Sequence, residues 1–377
     1  ADVGGMAMGT VLVGYDKEAF LSFGLKQSAN GAMSAETAAA YREGLNHLLA
    51  RHSRKLAGAR VAYWYRLSVA EENDPLAWLD DPPADEEERT ALARQERTAA
   101  QRRAADLLEA LHTGTRPELL ANHYYALTLS GSGGRVMVRD WMEGPFTDLV
   151  ASIARWFEDF AVVRRDGAGL APAPKLLAVL ASTARALDDV PPPHSAQLWQ
   201  AAVGGRAIPR QLMALALARV RIALIRDDPV SHAGIGLLKA YLIRKGGTMS
   251  LYLNEEHPEP AYHCGRLMAL LARLQYEALG DVGAGVVQRY YAAASATPAL
   301  VLGRLTRTSQ FHLNKIENPR LARWHEGRIA EVWSRIHDRV PAVLSLEEQS
   351  LFALGYYQQI AADRAPKSTD ERKENPD

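Results

Sequence analysis

One cysteine, Cys264, in 377 residues excludes a disulfide within the chain and a cysteine-rich zinc site, and it fits a reducing cytoplasm. No apolar run approaches the roughly 18–20 residues that a membrane-spanning helix needs, so no membrane partner is expected. The first residues, ADVGGMAMGTVLVGYD, lack the charged-then-apolar layout of a secretion signal. They also lack an initiator methionine, which points to a trimmed or partial chain. Net charge is absent too, because 44 Lys and Arg balance 44 Asp and Glu.

That zero conceals a partition. Residues 67–88 carry nine carboxylates and no Lys or Arg. Residues 201–248 carry eight Lys and Arg against two Asp, and residues 261–340 carry eleven against six acids. Segregation of this kind suits contact between the basic part and nucleic acid, although arginine-rich helices also carry basic faces that are merely solvated.

What is present reads as an α+β N-terminal part followed by mainly α structure that ends in a helical bundle. VLVGY (11–15) and ARVAYWYRLS (59–68) have strand composition, and HYYALTLSGSGGRVMVRDW (123–141) reads as two strands joined by a glycine turn. A capped helix is expected over 34–53, and an exposed loop over the acidic 67–88. After Pro145, helical periodicity covers 146–165, 173–187, 195–204, 208–226 and 232–245. A second series covers 260–279, 282–294, 297–316, 320–339 and 346–363. The expected organisation is 1–145 as a mixed α/β part, 146–248 as a helical region, 249–363 as a bundle and 364–377 as a disordered tail.

Catalytic signatures are thin. On a helix over 257–280, Cys264 shares a stripe with Leu267, Leu271, Leu274 and Ala278, while Arg266, Arg273 and Glu277 fall on the opposite side. Cys264 then acts as a small hydrophobe, and His263, about 100° away, is badly placed to serve as its base. GSGGR (131–135) precedes a strand-like segment rather than a helix, and it has no Walker lysine. His337-Asp338 has no second His/Asp cluster, and His325-Glu326 lacks the following histidine of a zinc protease. No nucleophile, base and oxyanion donor assemble, so neither an enzyme, a metal nor a cofactor is expected.

The cations carry more information. IPRQLMALALARVRIALIR (208–226) is apolar nearly all round and should be buried, yet it bears Arg210, Arg219, Arg221 and Arg226. Buried cations need carboxylates, a neighbouring subunit or phosphates. Lys239, Arg244 and Lys245 follow; in a last helical turn they also suit the helix dipole. Arg266, Arg273, Arg289, Arg304, Arg307, Lys315, Arg323 and Arg328 are spread over the terminal helices, as a surface tracking a backbone would be. Tyr290, Tyr291 and Trp324 have the chemistry to stack bases, but at helical spacing such residues are more often core.

The order of segments resembles the large subunit of the type I-C CRISPR effector complex (type I-C Cascade). EAFLSFGLKQSANGAMSAETAAAYREGLNHLL (18–49), ALTLSGSGGRVMVRDW (126–141), LLKAYLIRK (237–245) and AYHCGRLMALLARLQ (261–275) carry the likeness. RYYAAASATPALVLGRL (289–305), FHLNKI (311–316) and LEEQSLFALGYYQQ (346–359) continue it in order. GSGG stands where that family has an Asn-containing turn, and a substantial N-terminal region of the family has no counterpart here. The likeness implies a non-catalytic, cytoplasmic subunit of a complex that contains CRISPR RNA, backbone subunits, a guide-end-capping subunit and small subunits. It implies binding of target double-stranded DNA and of the displaced non-target strand, and docking of a helicase-nuclease. It also makes Met249 a candidate internal start for a small subunit spanning the terminal bundle. The alternative is a structural adaptor within the complex, its arginines meeting protein carboxylates rather than DNA.

Overall fold

The computed structural model describes residues 3, 11–14, 18, 23–84, 96–336 and 338–366. In chain order the regular elements begin with α1 (Ala35–Arg51), β1 (Ser53–Leu56), β2 (Ala59–Tyr65), α2 (Ala99–His112) and α3 (Pro117–Leu120). They continue with β3 (His123–Ser132), β4 (Arg135–Pro145), α4 (Phe146–Phe160), α5 (Leu176–Ala181) and α6 (Pro192–Val203). From there all is helical: α7 (Arg210–Arg226), α8 (His232–Arg244), α9 (Pro260–Leu279), α10 (Val286–Ala294), α11 (Pro298–Leu313), α12 (Pro319–Ile336) and α13 (Leu346–Arg364). The α+β beginning and the mainly α remainder follow the expected class. Two compact units are formed: Ala1–Ala77, Asp106–Ile153 and Arg185–Arg206 make the first; Trp78–Ala105, Ala154–Ala184 and Ala207–Asp377 make the second.

The first unit is built on an antiparallel sheet in the order β1-β2-β3-β4. The β3–β4 hairpin turns at Gly133, whose φ of +58° is a conformation that glycine adopts without a Cβ penalty. Side chains alternate between the two faces. Tyr65 on β2 pairs with Tyr124 on β3 and meets Phe146 edge-on, on the face with buried Val61 and Ala126. On the other face Leu127 and Leu129 meet Leu45 and Leu49 of α1, a helix started by Ser34, whose hydroxyl accepts from Thr37 N at 3.1 Å. The strand expected at 11–15 is reduced to a single bridge between Val11 and Arg135 at the hairpin end, with Tyr15 outside the described residues. The acidic stretch is likewise more than an exposed loop. Within the first unit, Asp74 accepts from the phenols of Tyr63 (2.9 Å) and Tyr65 (2.5 Å) and from the backbone N–H of Leu76 and Ala77. In the second unit, Trp78 and Leu79 are buried.

In the second unit the helix boundaries fall close to where punctuation placed them. Pro260 opens α9, Ser231 caps α8, and Ser345 with Glu348 forms a capping box on α13. The expected 173–187 helix shrinks to α5. The unit is organised around α9, in which every residue from Ala261 to Leu271 is buried against α10 to α13. Its crossing with α13 brings backbones into contact. A Cβ on Gly265 would lie 2.0 Å from Phe352 O, and one on Gly355 would lie 2.0 Å from Tyr262 O, so only glycine fits at either place. The helix expected to be buried all round, α7, buries a single stripe from Leu212 to Leu224 and leaves Ile222 exposed. Its neighbour α8 is the enclosed one, buried from Ala233 through Leu242.

Candidate nucleic-acid interface

The cations of the second unit fall into three classes that the sequence did not separate. The first is buried and committed to the fold. Lys239, 2% exposed, donates from Nζ to the carbonyls of Glu158 and Asp159, both at 3.1 Å. These are last-turn carbonyls of α4, where a cation offsets the helix dipole. Burial lowers the Lys239 pKa to about 8. Arg244 donates to Asp159 at 2.6 Å, and its guanidinium sits 5.7 Å from the Trp156 ring centroid.

Arg266 is the extreme case, 0% exposed. The expectation that it faces away from the core fails because α9 has no outward side over that stretch. Its Nε donates to Gln359 Oε1 at 3.0 Å, and its Nη2 donates to Glu255 and Glu331, each at 3.3 Å. Nη1 lies 3.2 Å from His263 Nδ1, and His263 Nε2 lies 2.7 Å from the carbonyl of His257. A guanidinium only donates and a carbonyl only accepts, so the His263 ring is held neutral with its proton on Nε2. Burial lowers the pKa of His263 and brings that of His257 to about 4. Cys264 is fully buried, and burial pushes its thiol up to about 12, which keeps it protonated. His337 lies outside the described residues.

The second class is partly exposed and paired with carboxylates or amides. Glu347, in the first turn of α13, accepts from Arg210 Nε (2.9 Å), Lys245 Nζ (3.2 Å) and the Tyr241 phenol (3.1 Å). The Arg210 hydrogen bond leads the lowering of its pKa to about 2. Arg221 donates to the Gln349 side chain. Arg273 donates to the Asp363 carbonyl at 2.8 Å and approaches the Glu277 carboxylate at 3.6 Å, and Arg328 bonds Asp363 at 2.5 Å. Both guanidinium groups sit over the Trp324 ring, 5.5 and 5.0 Å from its centroid, so this 44% exposed indole already has cationic company. Tyr291, 1% exposed and edge-on to Phe352 and Tyr356, is core.

The third class points into solvent. Arg226, Arg289, Arg304, Arg307 and Lys315 are exposed, with no carboxylate partner among the described residues, and Arg219 is half-buried without one. Arg323 is exposed, donating only to the Pro319 carbonyl one turn back on α12 (3.2 Å). Three of these lie on one line. Arg304 and Arg307 on α11, and Lys315 just past its end, share that line with Leu300 (76% exposed) and Phe311 (70% exposed). Successive members are three or four residues apart, the spacing that stacks side chains on one helix face. Leu300 and Phe311 were not among the expected site residues. Their signal was the same spacing that linked the arginines, on a face that leaves large apolar groups in water. Met249 is half-buried in the segment between α8 and α9.

The geometry is thus a ridge of cations interleaved with an open aromatic ring, of the kind that follows a charged backbone and stacks on bases. No helix among the described residues is long and apolar enough to cross a membrane. The sequence model of the family described as CRISPR-associated protein (Cas_Csd1) matches residues 2–363. No curated protein matches the chain.

Proposed function

The chain belongs to the Cas_Csd1 family of CRISPR-associated proteins, and from that premise we propose that it is the large, non-catalytic subunit of a type I-C surveillance complex. In this reading the guide RNA reads sequence by pairing, while the protein holds target DNA and the displaced non-target strand. The observation that carries it is the α11 ridge, where Arg304, Arg307 and Lys315 are exposed and unpaired among the described residues. Cations that displace the counterions condensed on phosphates give binding that is indifferent to sequence and falls with salt. Phe311, held in water between them, supplies a stacking surface that tolerates any base. Arg226 and Arg289 have the same freedom; Arg219, half-buried, and Arg323, bonded only to the Pro319 carbonyl, extend the candidate set. Lys239, Arg244 and Arg266 do not, because their side chains are enclosed and bonded inside the protein.

The partners in this reading are the complex's backbone, guide-end-capping and small subunits and a separate helicase-nuclease that docks on the subunit. The test is target-DNA binding by the intact complex across a salt series, comparing the native subunit with an Arg304→Glu/Arg307→Glu variant. Weaker binding with a flatter salt dependence supports the reading. Unchanged affinity favours a structural adaptor whose cations serve protein contacts alone.

Met249 remains the proposed start of a shorter product. The segment that would open it is fastened by residues the product would retain. Gln358 donates to the carbonyl of Ser250, the Tyr262 phenol accepts from Asn254 N, and Arg335 pairs with Glu256. Immunoblotting that shows a short product in wild-type cells and its loss in Met249→Leu checks the assignment; persistence of the product in that variant refutes it.

A further inference from the structure

The α11 ridge lies in the second unit. The first unit carries an aromatic surface that the DNA-binding reading does not use. On one face of the sheet, Trp64 of β2 and Tyr125 of β3 are direct cross-strand partners, and their rings stack at 5.5 Å with 16° between planes. Trp141 of β4 closes the group, edge-on to Trp64 at 5.6 Å and tilted against Tyr125 at 6.3 Å. Among the described residues, helix α1 packs on this face at the end holding Leu127 and Leu129, and Trp141 is 48% exposed.

An exposed indole is ordinarily free to change rotamer, but this one is fixed. Two rings brace it, and its Nε1 donates to Glu143 Oε2 at 3.2 Å. Glu143 is the cross-strand partner of Tyr125, so the carboxylate stands beside the rings. Arg66, two residues beyond Trp64 and tied by its N–H to the His123 carbonyl at 2.9 Å, is exposed with no carboxylate partner among the described residues.

We propose that this braced Trp64–Tyr125–Trp141 surface stacks unpaired bases of single-stranded RNA. A rigid aromatic plane on an antiparallel sheet offers each base a π-face without the ordering cost that a mobile side chain would add. Arg66 supplies a cation for the adjoining phosphate, and a cation beside a base-stacking plane is the charge complement of a single strand rather than of an apolar protein segment. RNA is favoured over DNA by Glu143. One of its oxygens accepts from Trp141, and in this proposal the other accepts from a 2′-hydroxyl, a donor that DNA lacks.

The test uses the full chain, a short unstructured RNA oligonucleotide carrying 2-aminopurine, and the DNA oligonucleotide of the same sequence. Stacking on the platform quenches the 2-aminopurine. Trp141→Leu should weaken RNA binding about tenfold and remove most of the quench, whereas Trp141→Phe should stay within about threefold. Glu143→Ala should narrow the gap between RNA and DNA. Photocross-linking of a 4-thiouridine-substituted RNA should label peptides containing Tyr125 or Trp141, which keeps the proposal testable even if Trp141→Leu folds poorly. Arg304→Glu/Arg307→Glu should leave the quench intact, so failure of the DNA-binding reading and failure of this one are separable. The proposal is overturned by absence of a quench, by a 2-aminopurine DNA oligonucleotide quenched at the same concentration as the RNA in the Arg304→Glu/Arg307→Glu chain, or by cross-links confined to other peptides. The last outcome, or no oligonucleotide binding at all, would leave the face to a protein partner.

Discussion

Arg266 on α9 and Arg304 on α11 have the same side chain and sit on helices that pack against one another, yet their environments are opposites. Around Arg266 five polar atoms of Gln359, Glu255, Glu331 and His263 converge on a group with no solvent exposure. Arg304 is exposed, with a bare Leu300 one turn before it. A buried cation is an element of the fold, because leaving it or its partners unsatisfied costs far more than a surface pair contributes. An exposed cation without a carboxylate adds little to stability and is free to meet a phosphate. The difference teaches that counting arginines along basic helices overstates the binding surface, and that effects on stability and on DNA should rank in opposite order.

The largest effect on folding is expected at Arg266. Arg266→Ala should lower unfolding free energy by about 3 kcal/mol or more, read from urea denaturation, because Gln359 and His263 lose their partner inside the core. A drop below about 1 kcal/mol would break the division between structural and binding cations.

Glu347 stands between the extremes, where three donors meet a carboxylate near the surface. Its folded pKa of about 2 lies below the ordinary value of 4.5. The native state therefore favours the ionised form, and the stabilisation is present above about pH 4.5 and lost as pH falls toward 2. Glu347→Gln should unfold more easily than the native chain at pH 6, and the gap should close in acid. A gap that is independent of pH would place the effect in packing rather than charge. The smallest effect on stability is expected at Arg304 and Arg307, where substitution should change it by no more than about 0.5 kcal/mol.

Much of the fold was legible because its punctuation is local. Pro260 and the Asp227–Asp228 break mark helix ends through backbone chemistry that a sequence displays directly. Gly133 marks the hairpin for the same reason. What escaped depends on partners distant along the chain. A helical wheel gives α9 an outward side, but the four helices around it remove that side and bury Arg266. Trp64, Tyr125 and Trp141 belong to three strands, and only the register of the sheet assembles them. Asp74 sits in an acidic run that looks solvated until two tyrosines from β2 reach it. The candidate interface was legible in residue type and only partly in position, since periodicity groups side chains on a helix without telling which groups find carboxylates.

The most direct measurement is the salt dependence of target-DNA affinity for the intact complex containing the Arg304→Glu/Arg307→Glu subunit. Each phosphate that no longer meets a cation should reduce the slope of log affinity against log salt by about 0.7 to 0.9. Releasing two phosphates should therefore flatten it by about 1.5, while the subunit's unfolding midpoint stays unchanged. An unaltered slope and affinity, with the complex intact, would contradict the assignment of the α11 ridge to the DNA.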